Sequence, residues 1–83
     1  MNKKDISPRN DKGLRHGYWE SHHNGTLWCK GYYKDDKKDG LWEYYWDSGK
    51  LDFKGYYING NQDGYWEYYY PNGELYYKRY YIN

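Results

Sequence analysis

Four side chains in the first third of the chain could do chemistry: His16, His22, His23 and Cys29. Imidazole with thiolate suits zinc, and a Cys near a His suits nucleophilic catalysis. Their spacing matches no closed zinc pattern, and adjacent histidines on a strand point to opposite faces. Cys29 holds a repeat position that Phe53 and Tyr77 also hold, so it reads as a small core hydrophobe. Glu20, Glu43 and Glu67 each follow a Trp and could serve as paired carboxylates. Each also recurs with a Lys that a hairpin would set across from it, which makes them structural charge pairs. The run from Asp35 to Gly40 hints at a calcium loop, but Lys37 stands where a ligand is needed. The reading is a non-enzyme that uses no metal and no cofactor.

A second set is better placed to bind than to react. Trp28, Tyr32, Tyr45, Tyr56, Tyr69, Tyr76 and Tyr80 alternate with Lys30, Lys54 and Lys78. Tyr and Trp bury large areas at small entropic cost, so these residues form the candidate contact patch for a partner protein. Stacking of a small nucleotide, or capture of a phospholipid headgroup, between the rings is the alternative use of the same patch.

The elements that must position these residues come from an internal repeat. Gly17-Tyr-Trp-Glu, Gly40-Leu-Trp-Glu and Gly64-Tyr-Trp-Glu open three units, offset by 23 and 24 residues. Each runs into a glycine-containing turn (Asn24-Gly25, Ser48-Gly49, Asn72-Gly73), then a Leu at 27, 51 or 75. Aromatic residues alternate with polar ones between the turns, which is the period of a strand and not of a helix. The units are therefore hairpins, and the predicted fold is all-β, an antiparallel meander in one elongated twisted sheet. Units span 17–39, 40–63 and 64–83, a half unit covers 11–16, and residues 1–10 read as a flexible tail.

Asn72-Gly73 suits a two-residue type I′ turn, which pairs Tyr70 with Leu75, Tyr68 with Tyr77 and Glu67 with Lys78. The same register in the middle unit pairs Trp46 with Leu51, Tyr44 with Phe53, Glu43 with Lys54 and Trp42 with Gly55. The first unit has one residue fewer, and a three-residue loop over Asn24-Gly25-Thr26 pairs Glu20 with Lys30 and Trp19 with Gly31. One face then collects the tryptophans at 19, 42, 46 and 66 with Cys29, Phe53, alternate tyrosines and Leu27, Leu51 and Leu75. The other collects the Glu–Lys ladder and the candidate contact patch. Gly31 and Gly55 leave room for an indole to lie across a neighbouring strand. In the last unit Arg79 stands in place of that glycine, where it can stack on the indole of Trp66 and discourage edge pairing. Alternatively that edge is a joint for a second copy.

The stretch from Phe53 to Trp66 resembles the MORN repeat, an aromatic-x-Gly-x-aromatic-x-x-Gly-x-x-x-Gly-x-Gly pattern. Phe53, Gly55, Tyr57, Gly60 and Gly64 fill it, and Trp66 replaces the final Gly. The unit from Cys29 to Trp42 departs further, with Cys29 for the aromatic and Asp36 for a Gly. The Gly-x-Trp-Glu-x-Tyr and Asn-Gly-x-Leu elements are similar to a bacterial and viral MORN variant, antitoxin-like in its usual assignment. The resemblance covers about 11–83 and implies a sheet used as a scaffold or inhibitor.

The 83-residue chain carries a formal net charge of +1, which argues against long nucleic acid as a partner. It lacks the basic cluster that membrane docking through acidic lipids needs. A mean hydropathy of −1.53 would suggest disorder, but 25% aromatic residues contradict it. One cysteine permits no internal disulfide, and the first ten residues have no apolar core for a secretory signal. A cytoplasmic address is the expectation, with another protein as the partner and self-association of the broad aromatic face also open.

Overall fold

The computed structural model describes residues 7–82. Glycine turns break the chain into short extended runs, and each run folds back on the one before it. The strands are β1 (Gly17–His23), β2 (Thr26–Lys34), β3 (Lys37–Lys38), β4 (Gly40–Tyr45), β5 (Leu51–Ile58), β6 (Asn61–Tyr69) and β7 (Leu75–Tyr81). All lie in one antiparallel sheet in the order β1-β2-β4-β5-β6-β7, with β3 paired to β2. The result is a plate 41 × 40 × 10 Å, a single layer with no second sheet over either face among the described residues.

The expected register holds through the middle of every hairpin. Trp19 pairs with Gly31 and Glu20 with Lys30, Trp42 with Gly55 and Glu43 with Lys54, Glu67 with Lys78 and Tyr68 with Tyr77. Near the turns it differs, and the two turn types are exchanged relative to expectation. Asn24 and Gly25 have φ of 51° and 79°, so the first hairpin closes on a two-residue type I′ loop with His23 paired to Thr26. In the last hairpin only Gly73 (φ 95°) is left-handed; Tyr70 N–H donates to Glu74 O at 2.8 Å and Gly73 N–H to Tyr70 O at 2.9 Å. That is a three-residue loop over 71–73. Pro71, which has no N–H to donate to Glu74, is incompatible with the shorter loop. The middle hairpin closes in the same way, with Trp46 N–H donating to Lys50 O and Gly49 at φ 90°.

Each hairpin then takes up one extra residue on its returning strand. The register shifts between Ser21 and His22, between Tyr44 and Tyr45, and between Tyr68 and Tyr69, which leaves Trp28, Asp52 and Tyr76 as bulge residues. A one-residue slip turns side chains over. Leu27, Leu51 and Leu75, expected on the aromatic face, pair instead with His22, Tyr45 and Tyr69 on the charged face. Trp28 and Tyr76, expected on the charged face, turn to the aromatic one. Trp28 lies 6.2 Å from the Tyr44 ring, and Tyr76 lies 4.5 Å from Tyr70 and 6.4 Å from Tyr77.

The core is small. Among the apolar side chains of the described residues only Cys29, Trp42 and Trp66 are buried. Each of the two indoles lies on a glycine of the preceding unit: a Cβ built on Gly31 would sit 2.1 Å from Trp42 Cδ2, and one on Gly55 would sit 2.1 Å from Trp66 Cδ2. Trp42 Nε1 donates to Tyr32 O at 2.9 Å, and Trp66 Nε1 to Tyr56 O at 3.1 Å. The bond joining one unit to the next is thus an indole latched on a bare stretch of backbone.

Trp19 makes the same bond to Pro8 O, at 3.0 Å. Pro8 therefore stands where Tyr32 and Tyr56 stand in later units, and Arg9 bridges to Arg15 as a strand remnant. Residues 1–6 of the expected tail lie outside the described residues. Pro8 and Asn10, placed in that tail, are hydrogen-bonded to His16 and Leu14 of the half unit, and Arg9 bridges to Arg15. The final strand differs again: among the described residues β7 has no neighbour on its outer side, and Tyr70, Leu75 and Tyr77, expected in the core, are exposed.

Candidate functional site

The charged face carries the candidate patch. Glu20, Lys30, Glu43, Lys54, Glu67 and Lys78 alternate in sign from β1 to β7. Lys30 Nζ lies 3.7 Å from Glu43, Lys54 Nζ 3.7 Å from Glu67, and Lys78 Nζ 3.6 Å from Glu67. The first two pairs cross a unit boundary, so the ladder joins hairpins as well as the strands within one. Beside it runs a row of tyrosines. Tyr18 and Tyr32 meet at 5.5 Å between ring centres, Tyr65 and Tyr80 at 4.7 Å, and Leu41 pairs with Tyr56 between them. Tyr32, Tyr56, Tyr65 and Tyr80 are 49%, 53%, 59% and 58% exposed.

Of the expected patch, Tyr32, Tyr56 and Tyr80 with the three lysines stand together as an accessible surface. Tyr45 and Tyr69 are on that face but occupied. Tyr45 lies under Lys30 Nζ at 5.9 Å, and Tyr69 donates its hydroxyl to Glu67 at 3.1 Å. Burial, and then Glu67, push the Tyr69 phenol up from its ordinary value. Trp28 and Tyr76 leave the patch through the bulges. Tyr18, Leu41 and Tyr65 belong to it and are absent from the expected set. Their signal was in the sequence, since each lies two residues before a ladder glutamate and must share its face. Tyr18 donates to Glu20, and burial followed by that bond raises its pKa.

The opposite face is a ladder of rings in contact. Trp19, Tyr33, Trp42, Tyr57, Trp66 and Tyr81 follow one another at 5.0–6.4 Å, mostly edge to face. Tyr44, Phe53, Tyr68 and Tyr77 form a second row at 4.3–5.6 Å. Cations lie over the first row. Arg15 is 4.4 Å from the Tyr33 ring, Lys38 Nζ is 4.9 Å from Trp42 and 5.1 Å from Tyr57, and Arg79 is 4.9 Å from Tyr81. Arg79 thus stacks on Tyr81 rather than on the Trp66 indole expected for it, because that indole turns away to cover Gly55. Lys38 also donates to the Tyr44 hydroxyl at 2.8 Å. Burial pushes the Tyr44 phenol up to about 12, and burial with the Tyr81 hydroxyl does the same for Tyr68.

The residues with catalytic potential are kept apart. Cys29 is buried on the aromatic face, His22 reaches toward Glu20 on the charged face at 3.7 Å, and His16 sits beside Asp35. Among the described residues no group of three or more His, Cys, Asp or Glu could hold a metal ion. Asp35 and Asp36 form a left-handed turn (φ 47° and 72°), and Asp36 is held by Arg15 at 2.5 Å. That bond to Arg15 keeps the Asp36 carboxyl below its ordinary pKa.

Surface depressions on the charged face are shallow. One lined by Tyr18, Lys30, Tyr32 and Glu43 holds about 130 Å³, and one lined by Lys54, Tyr56, Tyr65 and Lys78 about 220 Å³. Both lie below the range of roughly 300–1,000 Å³ typical of small-molecule pockets.

The model of the MORN repeat variant matches residues 38–59 and 62–83, together more than half of the chain, and the protein belongs to that family. Repeats of this kind are protein- or membrane-binding scaffolds and in general non-enzymatic. No curated protein and no solved structure shows significant similarity to the chain. No helix among the described residues is long and apolar enough to cross a membrane.

Proposed function

We propose that the chain is a non-enzymatic docking module that lays its charged, tyrosine-rich face on a partner protein. The observation that carries this is the exposure of Tyr32, Tyr56, Tyr65 and Tyr80, each about half open to solvent, in one row beside Lys30, Lys54 and Lys78. Tyrosines with neighbouring cations are the residues that dominate interface energetics. A rigid backbone beneath them reduces the entropy lost on docking. A plate of this kind acts on its partner by covering it, so the module is proposed to be an inhibitor, antitoxin-like or virus-encoded, working in the cytoplasm. The small-ligand alternative draws on the same rings, with depressions of about 130 and 220 Å³ beside the tyrosine row and an open one of about 350 Å³ lined by His23, Trp28, Tyr45 and Asp47.

Capture of a specific partner by the full chain, compared with Tyr56→Glu and Tyr80→Glu variants checked for folding by circular dichroism, tests the proposal. Both variants are expected to lose the partner. Undiminished capture by both would move the contact off this face. Tryptophan fluorescence titrated with nucleotides and with soluble lipid headgroups tests the alternative, for which a flat response is expected.

A further inference from the structure

The units themselves show what the outer edge of β7 is built to accept. β2 and β5 are the returning strands of the first two units, and each is followed across its outer edge by an antiparallel strand. β4 sets Glu43 against Lys30, and β6 sets Glu67 against Lys54. In both cases the residue before that Glu is a Trp whose ring lies on the glycine beside the Lys, Gly31 or Gly55. β7 is the third returning strand. Lys78 holds the Lys position, its outer backbone edge has no partner strand among the described residues, and Leu75 to Tyr80 are exposed. The charge ladder reaches Lys78 with Glu67 on one side and no strand on the other. The glycine position is filled by Arg79, whose guanidinium lies on the aromatic face over Tyr81.

We infer that the outer edge of β7 binds an extended, acidic segment of a partner protein as an added antiparallel strand, with two consecutive carboxylates. One faces Lys78 on the charged side, as Glu67 faces Lys54. The other, one residue earlier, points to the opposite face and meets Arg79, where the internal units place a Trp. Neighbouring residues on a strand point to opposite faces, so a pair of adjacent acids answers a pair of adjacent cations. Main-chain hydrogen bonds to the free edge supply affinity, and the charge pair supplies register. Arg79 also excludes the strand that the units would otherwise recruit, because an indole needs a bare backbone at that place. The inference rests on the docking reading for the nature of the partner, but it concerns the edge and not the face.

The probes are labelled peptides spanning residues 61–70, one unsubstituted, one carrying W66D and one carrying W66K with E67K. Each is titrated with the full chain by fluorescence anisotropy. The W66D peptide is expected to bind tightest, with the W66K, E67K peptide weaker by about tenfold or more. K78E and R79E should each weaken the W66D peptide by about tenfold. Arg79→Gly should reverse the preference toward the unsubstituted, Trp-bearing peptide. Both cationic side chains are exposed, so these variants are expected to keep the far-ultraviolet spectrum of the parent. Equal binding of the acidic and basic peptides, or indifference to K78E and R79E, overturns the inference. So does a dimer of the unmodified chain, seen by sedimentation, that survives R79E, since the edge would then belong to a second copy. Failure here with loss of the partner in Tyr56→Glu leaves the face reading standing, and the converse result leaves the edge reading standing.

Discussion

Gly55→Ala is the sharpest perturbation of this sheet. Gly55 is buried in β5, and its φ lies outside the left-handed region, so the backbone itself accepts Ala. Replacing a strand Gly by Ala at a permitted conformation would by itself stabilise by about 0.4–1 kcal/mol. The added methyl, however, sits 2.1 Å from Trp66 Cδ2 and 2.2 Å from Cε2, against the middle of a rigid ring that is 1% exposed. The indole must leave. Overpacking of this kind costs roughly 1–3 kcal/mol, and separating Nε1 from Tyr56 O leaves a buried donor unsatisfied at about 1–3 kcal/mol more. The net loss is about 1–5 kcal/mol, against a total stability of roughly 4–12 kcal/mol for a chain of this size. A fall in Tm of at least about 4 °C follows. Urea denaturation followed by tryptophan emission measures it, and the native emission should shift to the red. The double variant with Trp66→Ala is the internal check. Once the ring is absent the methyl has nothing to strike, so Gly55→Ala should add no further loss, and the two effects should be far from additive. A Gly55→Ala protein within about 0.5 kcal/mol of the parent and with unshifted emission would show that the latch does not hold the units together.

The other predictions address turns, charges and titration. Asn59 has a φ of 50°, whereas the φ of Asn72 is not positive. Asn59→Gly should therefore leave stability unchanged or raise it by up to about 1 kcal/mol, while Asn72→Gly should lower it by about that amount, in thermal melts. Asn72 also loses its 2.9 Å acceptor role toward Glu74 N–H, which adds to its cost. The phenols of Tyr44 and Tyr68 are raised to about 12 from an ordinary value near 10. The fold therefore favours their neutral forms, and that stabilisation is complete below about pH 10 and lost as pH rises through about 12. Allowing for their partial exposure, each contributes on the order of 1 kcal/mol. Tm should fall across that window and fall less steeply in Tyr44→Phe; a flat profile would contradict the assignment. Burial raises the Asp52 pKa at its bulge, so the carboxylate opposes folding at neutral pH. Asp52→Asn should raise Tm at pH 7 and gain less near pH 3, where the carboxyl is protonated.

Much of the architecture was legible in the order of residues. Strand identity and the two-sided pattern follow from alternation, and the central register follows from matching Glu20, Glu43 and Glu67 to their lysines. Those pairs lie far enough from the turns to be insensitive to loop length. The positions of Leu27, Leu51 and Leu75 were not legible. Whether a hairpin closes in two residues or three, and whether it then adds a bulge, depends on small differences in backbone hydrogen bonding. The middle and last hairpins close in three residues alike, although one has Asp47 and the other Pro71 at the first loop position. The candidate patch inherited the error: Trp28 and Tyr76 were assigned by counting through a bulge, whereas Tyr32, Tyr56 and Tyr80 lie beyond it and stood where alternation put them.

The sequence by itself determined that the chain is a row of hairpins with indoles on one side and a charge ladder on the other. A period of two needs only neighbouring residues to be read. Tertiary structure alone decided which unit each indole serves. Trp42 and Trp66 could have covered their own hairpin partners, yet each reaches back to the glycine of the preceding unit, where a backbone carbonyl accepts its N–H. The same geometry drew Pro8 into the sheet and left Lys78 and Arg79 on an open edge. Such choices turn on which backbone groups come within reach once the strands lie side by side, and no local pattern of residues encodes that.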